Sequence, residues 1–241
     1  MSKQSNRGKE AKDDFFFSTP KFLAAIQEAL LDMHYLLSRG YSEKNALSIV
    51  GNRYKLASRQ QKAVQGMSVS KEQLLLRKEK EVKYENLANK KLVIDGFNLL
   101  ILLESTLSQA YIFKGLDGCY RDLSSVHGNY KTVNQTEQVI RLVIDFCKEN
   151  KLDVVLWIFD KQVSNSGRIK AKIEAMAKAN KMRWEVRLED NADQILIQTE
   201  AIVVSSDKMV LDYANQWFNL ASHLIEKKIA SQTIFESNIK I

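Results

Sequence analysis

Apolar and polar positions divide the chain into two stretches with different periods. From Lys21, the positions Phe22, Ala25, Ile26, Ala29, Leu30 and Met33 recur every three or four residues, which predicts a helix with one apolar face. Gly40 follows Leu36-Leu37-Ser38-Arg39 as its C-cap. Ser42 is placed to cap a second helix with Ala46, Leu47 and Val50 on one face, ending near Gly51. Ser58 is placed to cap a third, bearing Gln61, Lys62 and Val64. Short helices with tight polar turns suit a helix-turn-helix-like module and a plain three-helix bundle equally. The expected organisation is a flexible N-terminus over 1–20, a small helical domain over 21–66 and a charged, solvated helical connector over 67–90.

After Lys91 the pattern changes. Leu92-Val93-Ile94-Asp95, Val154-Val155-Leu156-Trp157-Ile158-Phe159-Asp160 and Ala201-Ile202-Val203-Val204-Ser205-Ser206-Asp207 read as buried strands, each ending in an acid. Trp184-Glu185-Val186-Arg187-Leu188 alternates like a more exposed strand. Helical patterns lie between them near 97–109, 135–149, 167–180 and 192–198, with a last one near 208–229. Buried β-branched strands separated by helices predict an α/β domain over 91–241, with a mainly parallel sheet and helices on both faces.

In such a sheet the ligand site lies beyond the carboxyl ends of the strands, so Asp95, Asp160 and Asp207 point toward one edge. A single strand-end Asp is an ordinary turn or helix cap; three at one edge repel one another unless a cation neutralises them. Their hard oxygens suit Mg²⁺ or Mn²⁺. Asn98 lies three residues after Asp95, close enough to orient a ligand or to bond the first helical turn. Glu189-Asp190-Asn191-Ala192-Asp193 adds acids at the start of a helix, with Asp193 the expected inward one. Glu137, on the helix before the second long strand, is a weaker candidate because surface helices carry glutamates routinely.

Composition bounds the partners. The chain has 241 residues, 45% apolar and 27% charged, enough to bury a sizeable core. Its net charge of +7 is unevenly placed: residues 1–90 carry 17 Lys and Arg against 10 Asp and Glu, and residues 91–241 carry 19 against 19. Arg39, Lys44, Arg53, Lys55, Arg59 and Lys62 face Glu43 alone between residues 34 and 66. That patch either attracts a polyanion or is a solvated helical surface. Two cysteines and three scattered histidines exclude a disulfide framework and a histidine-rich metal site. No secretory signal is expected, and no apolar run approaches the roughly 20 residues that a membrane helix requires. A cytoplasmic protein is the default expectation.

The motifs Ile94-Asp95-Gly96-Phe97-Asn98, Phe159-Asp160, Asn191-Ala192-Asp193-Gln194-Ile195 and Ser205-Ser206-Asp207 together resemble the PIN-like superfamily of metal-dependent ribonucleases, nearest its NYN-type branch. The whole chain after residue 20 resembles a prokaryotic two-domain family that joins a small helical domain of unknown function to a PIN-like domain. Leu36-Leu37-Ser38-Arg39-Gly40-Tyr41 and Val50-Gly51-Asn52-Arg53-Tyr54 carry the match in the helical part. Asp117-Gly118-Cys119-Tyr120-Arg121-Asp122-Leu123-Ser124, Val126-His127-Gly128 and Val163-Ser164-Asn165-Ser166-Gly167-Arg168 carry it in the second. The resemblance implies acids holding Mg²⁺ or Mn²⁺ for phosphodiester hydrolysis: Asp95, Asp160, Asp193 and Asp207, with Asn98 beside them. The expected activity is an RNA endonuclease fed by the basic helical domain through Arg39, Arg53 and Arg59. The alternative is an inactive PIN-like module that binds nucleic acid or protein.

Residues 110–133 read as a long glycine-rich loop, which either folds over the site, bringing Arg121 to a phosphate and His127 to a leaving group, or bonds to itself. Ser164, Ser166 and Arg168 surround a helix start that could hold a phosphate or form an ordinary cap. No Gly-x-Gly-x-x-Gly follows the first strand, no Gly-Lys-Ser/Thr loop exists, and no serine sits in Gly-x-Ser-x-Gly.

Overall fold

A computed structural model describes residues 7–124, 130–152, 154–231, 233–237 and 239. The chain runs α1 (Asp13–Ser18), α2 (Pro20–Ser38), α3 (Glu43–Arg53), α4 (Ser58–Met67) and α5 (Lys71–Lys80). It continues through β1 (Leu92–Asp95), α6 (Gly96–Leu107), β2 (Ile112–Lys114), β3 (Tyr120–Arg121), α7 (Gln135–Glu149) and β4 (Val154–Asp160). Then come α8 (Ser166–Ala179), β5 (Arg183–Glu189), α9 (Ala192–Gln198), β6 (Ile202–Val204), α10 (Lys208–Tyr213), α11 (Leu220–Lys228) and β7 (Ile234–Glu236).

Period-two alternation in the strands builds the α/β half. The sheet has the order β5-β4-β1-β6 and is parallel throughout. Leu92, Ile94, Val155, Trp157, Phe159 and Val204 face one side, where they share a core with apolar residues of α6, α7, α8 and α11. Val93, Leu156, Ile158 and Val203 face the other, against Leu196 of α9, Val210 and Leu211 of α10, and Trp217. Both faces are therefore covered, as an all-parallel sheet demands. Gly96 opens α6 where a Cβ would meet the Phe159 ring at 2.4 Å, so only glycine lets β1 turn into the helix against that ring.

The helical half follows its 3.6 period. Ser42 Oγ accepts from Asn45 N and caps α3, while Gly40, at φ +82°, closes α2 with its N–H on Leu37 O. Helix α4 starts one residue earlier than the Ser58 cap expected from sequence: Ala57 is its N-cap, and Ala57 N donates to Gln60 Oε1.

Three expectations differ from the structure. Within the N-terminal segment expected to be flexible, residues 13–18 form α1, and Phe17 is buried. Part of the 110–133 stretch expected to be a loop is the β2–β3 hairpin, to which β7 adds in parallel as a second sheet, β3-β2-β7. Phe113, Leu123 and Phe235 from that region join Phe17, Ile26, Leu30, Val50 and Met67 in a single core, so the second sheet carries the helical half. Helix α5, expected as a solvated connector, buries Arg77 and leaves Leu75 and Leu76 exposed. Its continuation is sheet-like: Val82 N donates to Trp217 O, Trp217 N to Lys80 O, and Phe218 N to Val203 O of β6. Among the described residues no helix is long and apolar enough to cross a membrane.

Candidate functional site

The carboxyl ends of β1, β4 and β6 deliver three aspartates to one edge. Asp95 ends β1 and caps α6, its Oδ1 accepting from Asn98 N at 3.4 Å and its Oδ2 from Ser205 Oγ at 2.8 Å. Asp95 pairs in register with Ile158, so Asp160 lies two residues farther along the neighbouring strand; its Oδ1 accepts from Gln162 N at 2.7 Å. Asp207 follows β6 and caps α10 through Met209 N and Val210 N, at 2.9 and 3.1 Å. Asp193 lies in the first turn of α9, a helix packed on β1 and β4.

These four acids form one electrostatic unit. Burial pushes the Asp95 carboxyl up to about 7; the Ser205 hydroxyl opposes that rise, and the charges of Asp207 and Asp193 reinforce it. Asp193, expected to face inward, is exposed, as is Asp207; partial burial and the charges of Asp207 and Asp160 still raise the Asp193 carboxyl. Among the described residues no three His, Cys, Asp or Glu side chains stand close enough to hold one metal ion together. The donor set is nonetheless carboxylate and hydroxyl oxygen, the chemistry of Mg²⁺, which keeps several waters and binds through one or two carboxylates. The residues thus offer the ligand type of such an ion without an assembled set of three.

Asn98 is a clamp. Its Oδ1 accepts from both Ser206 N and Ser206 Oγ at 2.8 Å, tying the first turn of α6 to the β6–α10 loop. The Ser206 carbonyl accepts from Arg121 Nε at 2.8 Å. Arg121 grips Asp117 with both terminal nitrogens, at 2.9 and 2.7 Å, and Asp117 also accepts from Arg77 Nη1 at 2.5 Å. Arg77 Nε then reaches Asp212 at 2.6 Å. Burial would raise Asp117, yet Arg121 and Arg77 outweigh it and hold the carboxyl at about 2.

That network redirects two arginines expected to contact nucleic acid. Arg121 is largely buried, its guanidinium occupied by Asp117 and Ser206. Arg59 is also turned inward: it pairs with buried Asp13 and with Glu10 and donates to Gly8 O. Arg39 and Arg53 stay exposed, Arg39 lying over the Tyr35 ring and Arg53 pairing with Asp32 at 3.3 Å. Arg168 is exposed in the first turn of α8. Ser164 is exposed, whereas Ser166 is buried with its Oγ 3.5 Å from Lys161 O. Between them Asn165 adopts φ +68° and donates to Tyr130 O at 2.7 Å, an internal tie across the helix start. Glu137 pairs on the surface with Arg141 and Lys172, and Asp190 with Lys161. His127 lies outside the described residues.

Sequence reasoning missed Asp117 and Arg77 as members of the frame beneath the acids. It also missed Lys208, directly after Asp207, which forms an ion pair with Glu43 of α3. The first half thus touches the loop that holds the acidic edge.

The family model described as a domain of unknown function, DUF5616, matches residues 84–223, which include all four aspartates together with Asp117 and Arg121. The chain belongs to the DUF5616 family. A second model, the protein of unknown function DUF434, matches residues 25–80, from within α2 to the end of α5. The junction of the two models falls where α5 gives way to the segment paired with Trp217. The chain is also 33% identical over 191 residues to the uncharacterised protein MJ0935 of Methanocaldococcus jannaschii, covering 79% of this chain and 91% of the relative. No solved structure matches the chain significantly.

Proposed function

We propose that this protein is a divalent-metal-dependent nuclease with a PIN-like, NYN-type catalytic half, and that it hydrolyses phosphodiester bonds in RNA as an endonuclease. One observation carries the reading: four aspartates from three strand ends and a helix start form one electrostatic unit, in which Asp95 is pushed up to about 7. Burial is the main cause, and the charges of Asp207 and Asp193 add a repulsion that a cation would relieve. Asp95 and Asp207 are the principal candidates that would hold Mg²⁺ or Mn²⁺, with Asp160 and Asp193 as supporting acids.

The ion, when bound, neutralises the acids, polarises the phosphate and lowers the pKa of water. The chain's own side chains supply orientation. Ser205 holds Asp95 Oδ2, while the Asn98–Ser206 bonds fix the β6–α10 loop relative to α6. Arg121 fixes the same loop from beneath through the Ser206 carbonyl. Exposed Arg39 and Arg53 would contact phosphates of an incoming strand by charge.

Cleavage of a mixed RNA substrate with Mn²⁺ or Mg²⁺ tests the reading, with Asp95→Asn as the control. Activity in the wild type and its loss in the variant are expected; equal cleavage by both proteins overturns it. A second reading, binding without cleavage, draws support from the donors that already occupy Asp95, Asp160 and Asp207. Calorimetric titration of Mn²⁺ separates the two: binding lost in Asp95→Asn favours the nuclease, and no binding favours the inactive module.

A further inference from the structure

Strand β5 closes one end of the large sheet and, among the described residues, pairs only with β4. Its carbonyl at Glu189 accepts from Lys161 N, just past β4, so Glu189 directs its backbone toward β4. Backbone direction alternates along a strand, so Arg187, Glu185 and Arg183 also face β4, and Leu188, Val186 and Trp184 point their N–H and C=O groups outward. An edge of this kind is a template for another strand.

The side chains along this edge read the same under a two-fold rotation. Arg183, Glu185, Arg187 and Glu189 alternate in charge on one face, the first three exposed. Trp184, Val186 and Leu188 lie on the other face, against the main core. Antiparallel pairing with a second copy, centred on Val186, sets Arg183 opposite the partner's Glu189 and Glu185 opposite the partner's Arg187. The same register sets Trp184 beside the partner's Leu188 and Val186 beside the partner's Val186. Hydrogen-bonded pairs then fall at 184, 186 and 188, whose backbone groups point outward. The charged residues occupy the non-hydrogen-bonded positions, where side chains stand closest. Moving the centre to Arg187 or Glu185 juxtaposes like charges, and moving it to Trp184 or Leu188 halves the number of opposite-charge pairs, so the register about Val186 is the best matched.

From this match of backbone direction, charge and apolar contact, we propose that β5 is a homodimer interface joining the sheets of two chains through an antiparallel β5–β5 pair about Val186. The Glu185–Arg187 ion pair within each strand, at 2.6 Å, then becomes part of a cross-strand charge cluster. The pair lies along β5, one strand from Asp160, whose in-register neighbour Glu189 belongs to it, and farther from the ends of β1 and β6.

Light scattering coupled to gel filtration, with sedimentation for the affinity, tests the proposal on the full chain. The wild type is expected at twice the 27.6 kDa chain mass. Glu185→Arg and Arg187→Glu each convert two attractive contacts per dimer into repulsive ones, and each should weaken dimerisation by about tenfold or more. The double variant Glu185→Arg/Arg187→Glu restores every opposite-charge pair and should recover the dimer. Both sites are exposed, and unchanged circular dichroism verifies folding. A monomeric wild type, a dimer indifferent to the single reversals, or a double variant as weak as the singles overturns the proposal.

Discussion

Removing the Asp117 carboxylate should cost this protein a large part of its stability. Its side chain is 1% exposed and lies between Arg77, at 2%, and Arg121, at 12%. In Asp117→Ala, two guanidinium groups lose their shared counter-charge in a site water barely reaches. Breaking a buried ion pair from one side costs about 3–5 kcal/mol, against a total stability of about 5–15 kcal/mol. The pH dependence supplies a second, independent magnitude. Asp117 falls from its ordinary 3.8 to about 2 on folding, which corresponds to about 2 kcal/mol at neutral pH. Because the folded value is the lower one, this stabilisation is complete above about pH 4 and disappears as pH falls toward 2. At pH 3 about half of it remains. Urea unfolding of wild type, Asp117→Ala and Asp117→Asn at pH 7 and pH 3 measures both effects. The Ala variant should lose about 3 kcal/mol or more at pH 7, and the gap between wild type and Asn variant should narrow by about 1 kcal/mol at pH 3. A loss under about 1 kcal/mol, or a gap that does not change with pH, would refute the claim that Asp117 is the ionised hub of the network.

In metal-free buffer Asp95→Asn should be the more stable protein at pH 8, by at least about 1 kcal/mol, with the advantage gone below pH 4. The folded value of about 7 lies above the ordinary 3.8, so protonation favours the fold and that stability is lost as pH rises; thermal unfolding across pH checks the sign. Arg59→Ala should lower stability by about 3 kcal/mol because it strands buried Asp13, measured by denaturant midpoint. Arg39→Ala/Arg53→Ala should leave that midpoint within about 0.5 kcal/mol. The same double variant should flatten the salt dependence of RNA binding by about 1.4 log units per decade. Gly96→Ala should cost about 1–3 kcal/mol by driving a methyl group into Phe159, read from the melting temperature.

The four strands of the main sheet were legible because each is a run of apolar or alternating residues bounded by polar turns. The aspartates at the ends of three of them were legible for the same reason. The second sheet was not: β3 has two residues, and β7 pairs with β2 across more than a hundred intervening positions. Neither leaves a periodic signal. Arg77 was missed because α5 reverses the usual pattern, burying a cation and exposing Leu75 and Leu76. A charge run announces solvent when read alone, and the partners that make burial tolerable, Asp117 and Asp212, lie far along the chain. Arg59 misled in the same way, since Asp13 sits in a segment with no apolar repeat long enough to announce a helix.

The seating of Phe235 in the core of the helical half governs the order in which the molecule is made. Helices α1 to α5 leave the ribosome first, but part of the floor on which they settle, β2 with β7 beside it, is completed only when residues 234–236 emerge. At about 5–20 residues per second, those early helices wait on the order of ten seconds before Phe235 can join their core. Synthesis thus separates the helical half from part of its own core: α1 to α5 are translated long before the strand that completes the floor beneath them.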